Sequence, residues 1–219
     1  MITATSTQSE YSSTYCELAD SPVLRDHVYQ LRYECYHRRG AIADSAEERF
    51  SDSYDALPNH FSFLASNKEE GPLGTVRISV VRPAPGWGAS PAAKVFGDHE
   101  AFMPIAQGSY VEASRLCFRP QARRDVLYRL VANMVALADF YETEWLVACP
   151  RVEHSQIYQR MFGFRPLAAP RQYFGVNFQT ELLAISRDEI REKANHVRAM
   201  SRAWTEACMV VGSSIPLTI

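Results

Sequence analysis

The sequence predicts an α/β fold in which helices flank a mixed β-sheet. Short β-rich runs alternate with amphipathic helical runs along the 219-residue chain, a pattern typical of a sheet covered by helices. Two early runs, Phe61 to Ser66 and Leu73 to Val81, are separated by a turn and predict an antiparallel hairpin. A later run, Tyr110 to Phe118, leads into a long helical pattern and another strand, which predicts parallel pairing there.

The N-terminal elements are marked by their end residues. Tyr15 to Leu18 predicts a first strand. Ser21 and Pro22 are typical of the first residues of a helix, and the apolar residues that follow recur at helical spacing until Gly40. Beyond the hairpin and a loop rich in proline and glycine, a short helix is expected near Pro91 to Phe96.

The C-terminal half continues the alternation. The run from Val126 to Ala138 is apolar along one side and predicts a helix. The pattern then predicts a compact strand, a helix that Gly163 ends, and a long strand; these three elements are Trp145 to Cys149, Glu153 to Met161, and Phe174 to Ile185.

The last helix is predicted from a capping motif, and it sets the domain boundaries. Ser186 to Glu189 matches a capping box that begins a helix over about 187–209. Residues 1–13 are rich in serine and threonine and predict a flexible leader. We therefore expect a single domain over 14–212, followed by a tail over 213–219.

Composition excludes several classes of protein. With 47% apolar residues the chain has enough material for a core, and its net charge of −2 indicates neither nucleic acid nor a membrane surface as a partner. No apolar run is long enough to span a bilayer, and no signal-peptide pattern is present, so we expect a cytoplasmic protein. The cysteines lack metal-ligand spacing, so we expect free thiols and no metal: they are Cys16, Cys35, Cys117, Cys149 and Cys208.

The predicted central strand carries two charges where a core strand ordinarily has none. Glu112 and Arg115 interrupt an apolar run. Burying such groups without partners is costly, so they are paired, solvated in a cleft, or used in chemistry. Residues three apart on a regular strand point to opposite faces. Either the two side chains serve different sides of the sheet, or a bulge re-aims one of them.

Several motifs resemble those of the GNAT acyltransferase superfamily. The segment Tyr158 to Phe164 is similar to its signature, a tyrosine on a helix shortly before Gly-Phe. A narrower resemblance is to the branch with the acyl-homoserine-lactone synthases and the long-chain N-acyl amino acid synthases. Those enzymes have an Arg and an aromatic residue four apart, a D-x-x-D pair, a hairpin Arg and a Glu-x-x-Arg. The corresponding residues here are Arg32 and Tyr36, Asp52 and Asp55, Arg77, and Glu112 and Arg115.

Within that branch, the sequence is nearer to the N-acyl amino acid synthases. The lactone synthases have a tryptophan after the first helix, where this chain reads Arg38 to Ile42. They also continue the hairpin arginine into a Leu-rich Pro-Thr segment, which Arg77 to Pro83 does not match. The stretches around Ile42 and Ala56 to Asn59 are more similar to the N-acyl amino acid synthases. The resemblance implies a GNAT-like sheet with an extra C-terminal helix and a splayed central strand, bulged near Ala113 and Ser114.

The resemblance also implies roles for these residues. Glu112 is expected to be the general base that deprotonates the acceptor amine; the alternative is a structural ion pair with Arg115 or Arg77. Arg115 is expected to orient Glu112 or to hold a carboxylate or thioester oxygen. Tyr158 is expected either to line the pocket or to protonate the leaving thiolate.

The substrate-binding set implied by the resemblance is an Arg/Asp network around the acceptor pocket. The alternative for the two aspartates is turn capping, and for the helical arginine it is a solvated helix face. The set comprises Arg32, Tyr36, Asp52, Asp55 and Arg77.

The acyl donor is predicted from the segment after the central strand. Acyl-CoA-binding GNAT enzymes have a glycine-rich turn there, whose amides bind the pyrophosphate; here Arg119 to Asp125 contains no glycine. A basic cluster suits the phosphate and the acidic surface of a carrier protein, the alternative being a solvated helix start. That cluster comprises Arg119, Arg123, Arg124 and Arg129. We expect the acyl-phosphopantetheine of acyl carrier protein as donor, rather than acyl-CoA, and no tightly bound cofactor.

These interpretations predict an N-acyltransferase that moves a fatty acyl group from acyl carrier protein to the α-amine of an amino acid. Two alternatives are enzymes: an acyl-homoserine-lactone synthase and an acyl-CoA-dependent N-acetyltransferase. The third is a non-catalytic module that binds an acyl carrier.

Overall fold

The computed structural model describes residues 14–215; the predicted leader over 1–13 and the tail residues 216–219 lie outside the described part. The sheet has seven strands: β1 (Thr14–Leu18), β2 (His60–Asn67), β3 (Gly71–Val81), β4 (Tyr110–Phe118), β5 (Trp145–Ala148), β6 (Arg165–Gln172) and β7 (Gln179–Ser186). Their spatial order is β1-β2-β3-β4-β5-β7-β6. β4 and β5 pair in parallel, as predicted, and the other neighbours pair antiparallel.

Seven α-helices accompany the sheet in this part of the chain: α1 (Pro22–His37), α2 (Pro91–Phe96), α3 (Met103–Gln107), α4 (Arg124–Phe140), α5 (Ser155–Phe162), α6 (Arg187–His196) and α7 (Arg198–Ser214). The predicted cap of α1 is confirmed, because the Ser21 side chain accepts a hydrogen bond from the Leu24 amide. Gly163 ends α5 with φ of 80°. None of the helices over 14–215 has the length and apolarity that crossing a membrane requires.

The two faces of the sheet differ in chemistry. On one face, apolar strand residues such as Val76, Ile78 and Val111 pack in the core cluster that includes the α4 residues. On the other face lie Arg77 and Glu112, because Arg77 pairs with Ser114 and Ser79 pairs with Glu112, and alternate strand residues share a face. Helix α1 packs on this face over β3 and β4, and α2 contacts Glu112 through the Ala92 amide. The arginines and aspartates of the sequence motifs therefore lie between α1 and the sheet, with Glu112 beside α2.

A bulge in β4 decides where Arg115 points. Between two aligned pairs of the β3–β4 ladder, β3 advances two residues while β4 advances three, from Ser114 to Cys117. Arg115 has φ of 54°, a left-handed conformation that is uncommon outside glycine. The predicted bulge is confirmed, one or two residues after the expected position. It turns Arg115 towards the face of Glu112, so the two side chains serve the same side of the sheet.

The predicted splay is also present next to this bulge. β5 pairs with the first four residues of β4, Tyr110 to Ala113, and β4 runs on to Phe118. The polypeptide after Ala148 leaves β4 but stays beside β7, where Arg151 forms an isolated bridge with Thr180 before a 3₁₀ turn begins. A gap between the two parallel strands follows from these different lengths.

The predicted strand from Phe174 to Ile185 is confirmed in its second part, as β7, and wrong in its first part. Strand β6, which the pattern did not predict, ends at Gln172, and β7 begins at Gln179. Between them the chain turns, and Gly175 has φ of 72°, a conformation open to glycine at little cost. A hairpin therefore replaces the single long strand.

The predicted final helix over about 187–209 is also wrong in part. Its capping box is confirmed, because the Ser186 hydroxyl and the Glu189 carboxylate each bind the other residue's backbone amide. The helix ends at His196, Val197 takes an extended conformation, and α7 continues to Ser214. The predicted tail thus begins inside a helix. α7 packs along α4 and buries Met200, Ala203 and other small apolar residues in the core.

Candidate active site

Five charged side chains meet between α1 and the sheet, and we call them the charge cluster: Arg32, Asp52, Asp55, Arg77 and Arg115. Arg32 Nη1 lies 2.7 Å from Asp55 Oδ1. Arg77 Nη1 lies 2.5 Å from Asp52 Oδ1 and 3.2 Å from Asp55 Oδ1. Arg115 donates to Asp52 Oδ2 from Nε at 3.1 Å and from Nη2 at 2.7 Å. The predicted ion pairs of Arg32 and Arg77 with the two aspartates are therefore confirmed, and Arg115 joins them, which was not predicted.

The two aspartates also cap a 3₁₀ turn, Ser53–Ala56. Asp52 Oδ1 accepts from the Tyr54 amide at 2.9 Å, and Asp55 Oδ2 accepts from the Asp52 amide at 2.9 Å. Turn capping and ion pairing were alternatives in the sequence, and the same two side chains do both. The solvated position considered for Arg32 is wrong, since its side chain is buried and its Nη2 donates to Ser62.

The charge cluster carries one more cation than anion. Burial by itself would raise the pKa of Asp52, but hydrogen bonds and charges from Arg77 and Arg115 hold it well below its usual range. Burial would likewise raise the pKa of Asp55, but the charges of Arg32 and Arg77 outweigh burial and lower it. Three guanidinium groups therefore face two carboxylates. Arg77 Nη2 is buried and has no hydrogen-bond partner among residues 14–215.

Glu112 lies beside the charge cluster without joining it. Its Oε2 accepts a hydrogen bond from the Ala92 amide at 2.8 Å, and its Oε1 accepts one from the Tyr173 hydroxyl at 3.2 Å. The side chain is wholly buried. Burial raises the pKa of Glu112, while the Ala92 amide, the Arg77 charge and the Tyr173 hydroxyl oppose part of that rise. The arginine ion pair considered as the alternative for Glu112 is not what the structure shows.

A cavity of about 340 Å³ occupies the gap between β4 and β5. Its inner wall is mostly apolar and combines side chains from α1, β4, α4, α5 and the segment after β5: Tyr36, Ala113, Leu116, Leu127, Tyr158 and Cys149. Arg115 belongs to this wall as well as to the charge cluster. At the rim, Phe118 and Ile157 are exposed by 37% and 43%, beside Arg39 and Arg151. The cavity has the shape and lining expected of a site for an apolar chain.

Two tyrosines of the predicted site lie in the wall of the cavity. The Tyr36 ring lies 6.0 Å from the Arg115 guanidinium. Tyr158 packs edge-on against Phe164, with ring centroids 5.9 Å apart. Burial raises the pKa of both hydroxyls. The role of Tyr158 as an acid stays a prediction.

The four arginines predicted to bind a carrier protein fall into two groups in the structure. Arg119 donates twice to Glu34, at 3.0 and 2.8 Å. Arg129 pairs with Glu206 on α7. Arg123 and Arg124 are exposed at the start of α4. Two of the four are thus engaged in ion pairs within the chain and two face solvent.

The sequence reasoning missed the groups that hold Glu112. Tyr173 was taken to precede a strand, whereas it lies in the β6–β7 turn and reaches back to β4. Gly175 and Asn177 are turn-forming residues that would have indicated this hairpin. The helix near Pro91 was predicted, but its contact with Glu112 through the Ala92 amide was not.

Comparisons with known proteins identify the family and the fold. The family model described as N-acyl amino acid synthase FeeM matches residues 27–186. None of the curated proteins matches the chain. The structure of FeeM, an N-acyl amino acid synthase from uncultured soil microbes, superimposes with a TM-score of 0.67 at 16% identity, covering 86% of this chain and 97% of that chain.

Acyl-homoserine-lactone synthases are similar to the chain in fold. The CoA-dependent synthase BjaI, in its structure with SAM and isopentyl-CoA, has a TM-score of 0.58 at 17% identity, covering 88% of this chain and 99% of that chain. The synthase LasI has a TM-score of 0.59 at 15% identity, covering 81% and 91%. At these identities the likeness shows a shared fold, and the predicted GNAT-like architecture is confirmed.

Proposed function

The chain belongs to the FeeM family of N-acyl amino acid synthases, and from that premise we propose that it transfers a fatty acyl group from acyl carrier protein to the α-amine of an amino acid. The family makes it an N-acyltransferase. The donor, the acceptor and the catalytic residues are the finer parts of the proposal, and each is argued from the site.

One observation carries the proposal: Arg115 belongs to both halves of the site. It lines the cavity in the splay and donates two hydrogen bonds to Asp52 in the charge cluster. The base candidate Glu112 lies three residues earlier on the same strand. An apolar chain in the cavity and a charged acceptor beside the cluster would therefore meet at Arg115, on the strand that also carries Glu112, and transfer requires that the two substrates meet.

Glu112 is proposed as the general base. The acceptor nitrogen attacks the thioester carbon, the C–N bond forms, and the C–S bond breaks with its electron pair leaving on sulfur as a thiolate, which takes up a proton to become the free thiol. Glu112 accepts the proton that the nitrogen loses, directly or through one water. Burial raises the pKa of Glu112 above its ordinary value, which brings the carboxylate nearer to the pH at which a base is efficient.

The charge cluster supports an acceptor with a free carboxylate. It has an excess of one positive charge, and Arg77 Nη2 is a buried donor without a partner among residues 14–215. A buried unpaired donor is costly, and an ionised ligand oxygen is a strong partner for it. The α-carboxylate of an amino acid supplies that oxygen.

An acyl carrier protein is the donor that the surface near the cavity favours. Exposed apolar side chains at the rim, Phe118 and Ile157, adjoin the cations Arg39 and Arg151. Arg123 and Arg124 add exposed positive charge at the start of α4. Carrier proteins are acidic, and complementary charge accelerates and orients such encounters. Arg119 and Arg129 would contribute less directly, because internal carboxylates already pair with them.

Replacing the proposed base tests the function. We expect Glu112→Gln to lower turnover with acyl carrier protein thioester and amino acid by at least about 100-fold, the usual contribution of a positioned base. Donor binding should be retained, since the cavity is untouched. Glu100→Gln, at an exposed glutamate, is the matched control and should keep full activity. Full activity of Glu112→Gln would contradict the mechanism.

Charge reversal tests the donor. We expect the double variant Arg123→Glu, Arg124→Glu to raise KM for the acyl carrier protein thioester about tenfold, with less effect on a CoA thioester of equal chain length. The control is a double reversal at two other exposed cations, Arg25→Glu and Lys68→Glu. Equal effects of the two double variants, or a preference of the unmodified enzyme for CoA, would exclude the carrier-protein donor.

A further inference from the structure

We propose that Tyr173 is a positioning residue for the acyl transfer, whose hydroxyl group holds the Glu112 carboxylate in place as a base. The inference rests on the proposed function and adds to it a residue from the β6–β7 turn that the sequence motifs do not include. Tyr173 acts through Glu112 and need not touch either substrate.

The geometry is a two-point attachment of one carboxylate. The Tyr173 hydroxyl donates to Oε1 of Glu112 at 3.2 Å, and the Ala92 amide donates to Oε2 at 2.8 Å. The two donors come from the β6–β7 turn and from α2, which are far apart in the chain. With both oxygens held, the carboxyl plane is set. A fixed base in a water-poor site avoids reorganisation during proton transfer.

The turn that carries Tyr173 is itself held at several points. The Gln172 side-chain amide donates to the carbonyl oxygens of Tyr173 and Val176, at 3.2 and 2.6 Å. The Tyr173 ring stacks on Phe174 with centroids 5.0 Å apart. The Asn177 backbone amide donates to the Ala41 carbonyl oxygen at 3.0 Å, which joins the turn to the loop after α1. A turn held in this way keeps the phenol aimed at β4.

The Arg115 guanidinium links this turn to the rest of the site. It lies 5.9 Å from the Tyr173 ring and 5.7 Å from the Phe174 ring. At Gly175 an added Cβ would meet Arg115 Nη2 at 3.4 Å, so the turn backbone approaches the guanidinium closely. Arg115 therefore touches the cavity, the charge cluster and the turn that holds the base.

Several groups act on the ionisation of Glu112 from the elements around it. The Ala92 amide of α2, the Ser90 hydroxyl at the N-cap of that helix and the positive charge of Arg77 on β3 all favour the ionised carboxylate and lower its pKa. The neutral titratable groups that interact with it are Tyr54, Tyr110, Cys149 and Tyr173. Burial raises the pKa of Tyr173 well above its ordinary value, so its hydroxyl stays protonated and donates. A donor to the ionised carboxylate favours that form and opposes the effect of burial.

Tyr173→Phe removes the hydroxyl and keeps the ring. A hydrogen bond to a charged group contributes about 1.5–3 kcal/mol, so we expect turnover to fall by about 10- to 100-fold. Without the donor the pKa of Glu112 rises further, so the acid limb of the pH profile of kcat/KM should move about one unit to higher pH. KM for the acyl donor should be unchanged. Tyr141→Phe, in the aromatic cluster with Phe61 and Trp87, is the control and should alter none of these.

A second modification keeps the fold and changes only the strength of the donor. Site-specific 3-fluorotyrosine at 173 has a more acidic hydroxyl and should shift the acid limb to lower pH, opposite to Tyr173→Phe. The shift of the acid limb with 3-fluorotyrosine can be measured even if the phenylalanine variant is destabilised. A loss of activity in Tyr173→Phe with an unchanged acid limb, and no shift with fluorotyrosine, would overturn the proposal.

The outcome for Tyr173 is separable from that for the proposed function. If Glu112→Gln is inactive while both Tyr173 variants behave as the unmodified enzyme, Glu112 remains the base and Tyr173 has no role. If Glu112→Gln is fully active, the proposed mechanism fails and the positioning role fails with it.

Discussion

The charge cluster and the cavity meet at Arg115 but are built in opposite ways. In the charge cluster, every side chain is held by an opposite charge, and Arg32 and Arg77 are wholly buried. The cavity is an open volume of about 340 Å³ whose wall is mostly apolar. The first region depends on particular charges at particular places, whereas the second depends on shape. The two should therefore respond differently to substitution.

The difference has a physical cause. A buried ion pair costs desolvation energy that the partner offsets, so removing one partner leaves an uncompensated charge. An apolar wall that faces an open cavity has no buried charge that a substitution could leave unpaired. An added methyl group there fills space that a ligand would otherwise occupy. Three predictions test this contrast, each against a control within the same chain.

The largest effect is expected in the charge cluster. Asp52→Asn removes a carboxylate that pairs with Arg77 and Arg115, and we expect the free energy of unfolding to fall by about 3–5 kcal/mol. Activity should be lost as well. Denaturant unfolding with a linear extrapolation measures the change.

The matched control for this prediction is an exposed pair. Arg165→Gln removes the partner of Glu189 at the surface, and the free energy of unfolding should change by less than about 1 kcal/mol. Similar losses in the two variants would show that burial does not distinguish the pairs, and would weaken the contrast between the two regions.

A smaller effect is expected in the cavity. Ala113→Leu adds bulk to the wall on the α4 side of β4. We expect kcat/KM for the longest acyl donors to fall about tenfold, the scale of a misplaced methylene or two in an apolar pocket, while short donors are little affected. Assays over a series of acyl chain lengths measure the shift. Ala101→Leu, at an exposed position, should leave the series unchanged; an equal loss for every chain length would argue against a chain-binding cavity.

The smallest effect concerns His60, which lies next to the charge cluster. Its Nδ1 lies 2.8 Å from the Ser79 hydroxyl oxygen, and burial together with the Arg77 charge lowers its pKa to about 4. Between pH 6.5 and 4 the unfolded chain binds a proton there that the folded chain does not, so stability should fall as the pH falls through that window. We expect a loss of about 1 kcal/mol, allowing for partial exposure of the ring.

His60→Gln should flatten the dependence of thermal stability on pH between 7 and 4. His196→Gln, at an exposed histidine, should retain the slope of the unmodified protein. A slope that persists in His60→Gln would mean that the titration of His60 is not the source of the pH dependence.

The sequence predicted most of the elements near the site because their signals are local. Ser21 and Ser186 mark helix starts by their own hydrogen bonds to nearby amides. The order of strands and helices followed from apolar periodicity in the same way. The β6–β7 hairpin was missed because an apolar run on both sides of Gly175 resembles one buried strand. The break at Val197 was missed because the apolar residues of α6 and α7 continue across it.

The motifs predicted the ion pairs of Arg32 and Arg77 with the two aspartates, but not that Arg115 joins them. A buried charge needs an opposite partner, so the motif residues had few alternatives to one another. The hydrogen bonds that hold Glu112 were decided by the tertiary structure alone. Its partners, Ala92 and Tyr173, are 20 and 61 residues away along the chain, and neither carries a charge that would mark it. The position of the bulge, which turns Arg115 towards Glu112, likewise depends on the register between β3 and β4, and register is a property of paired strands.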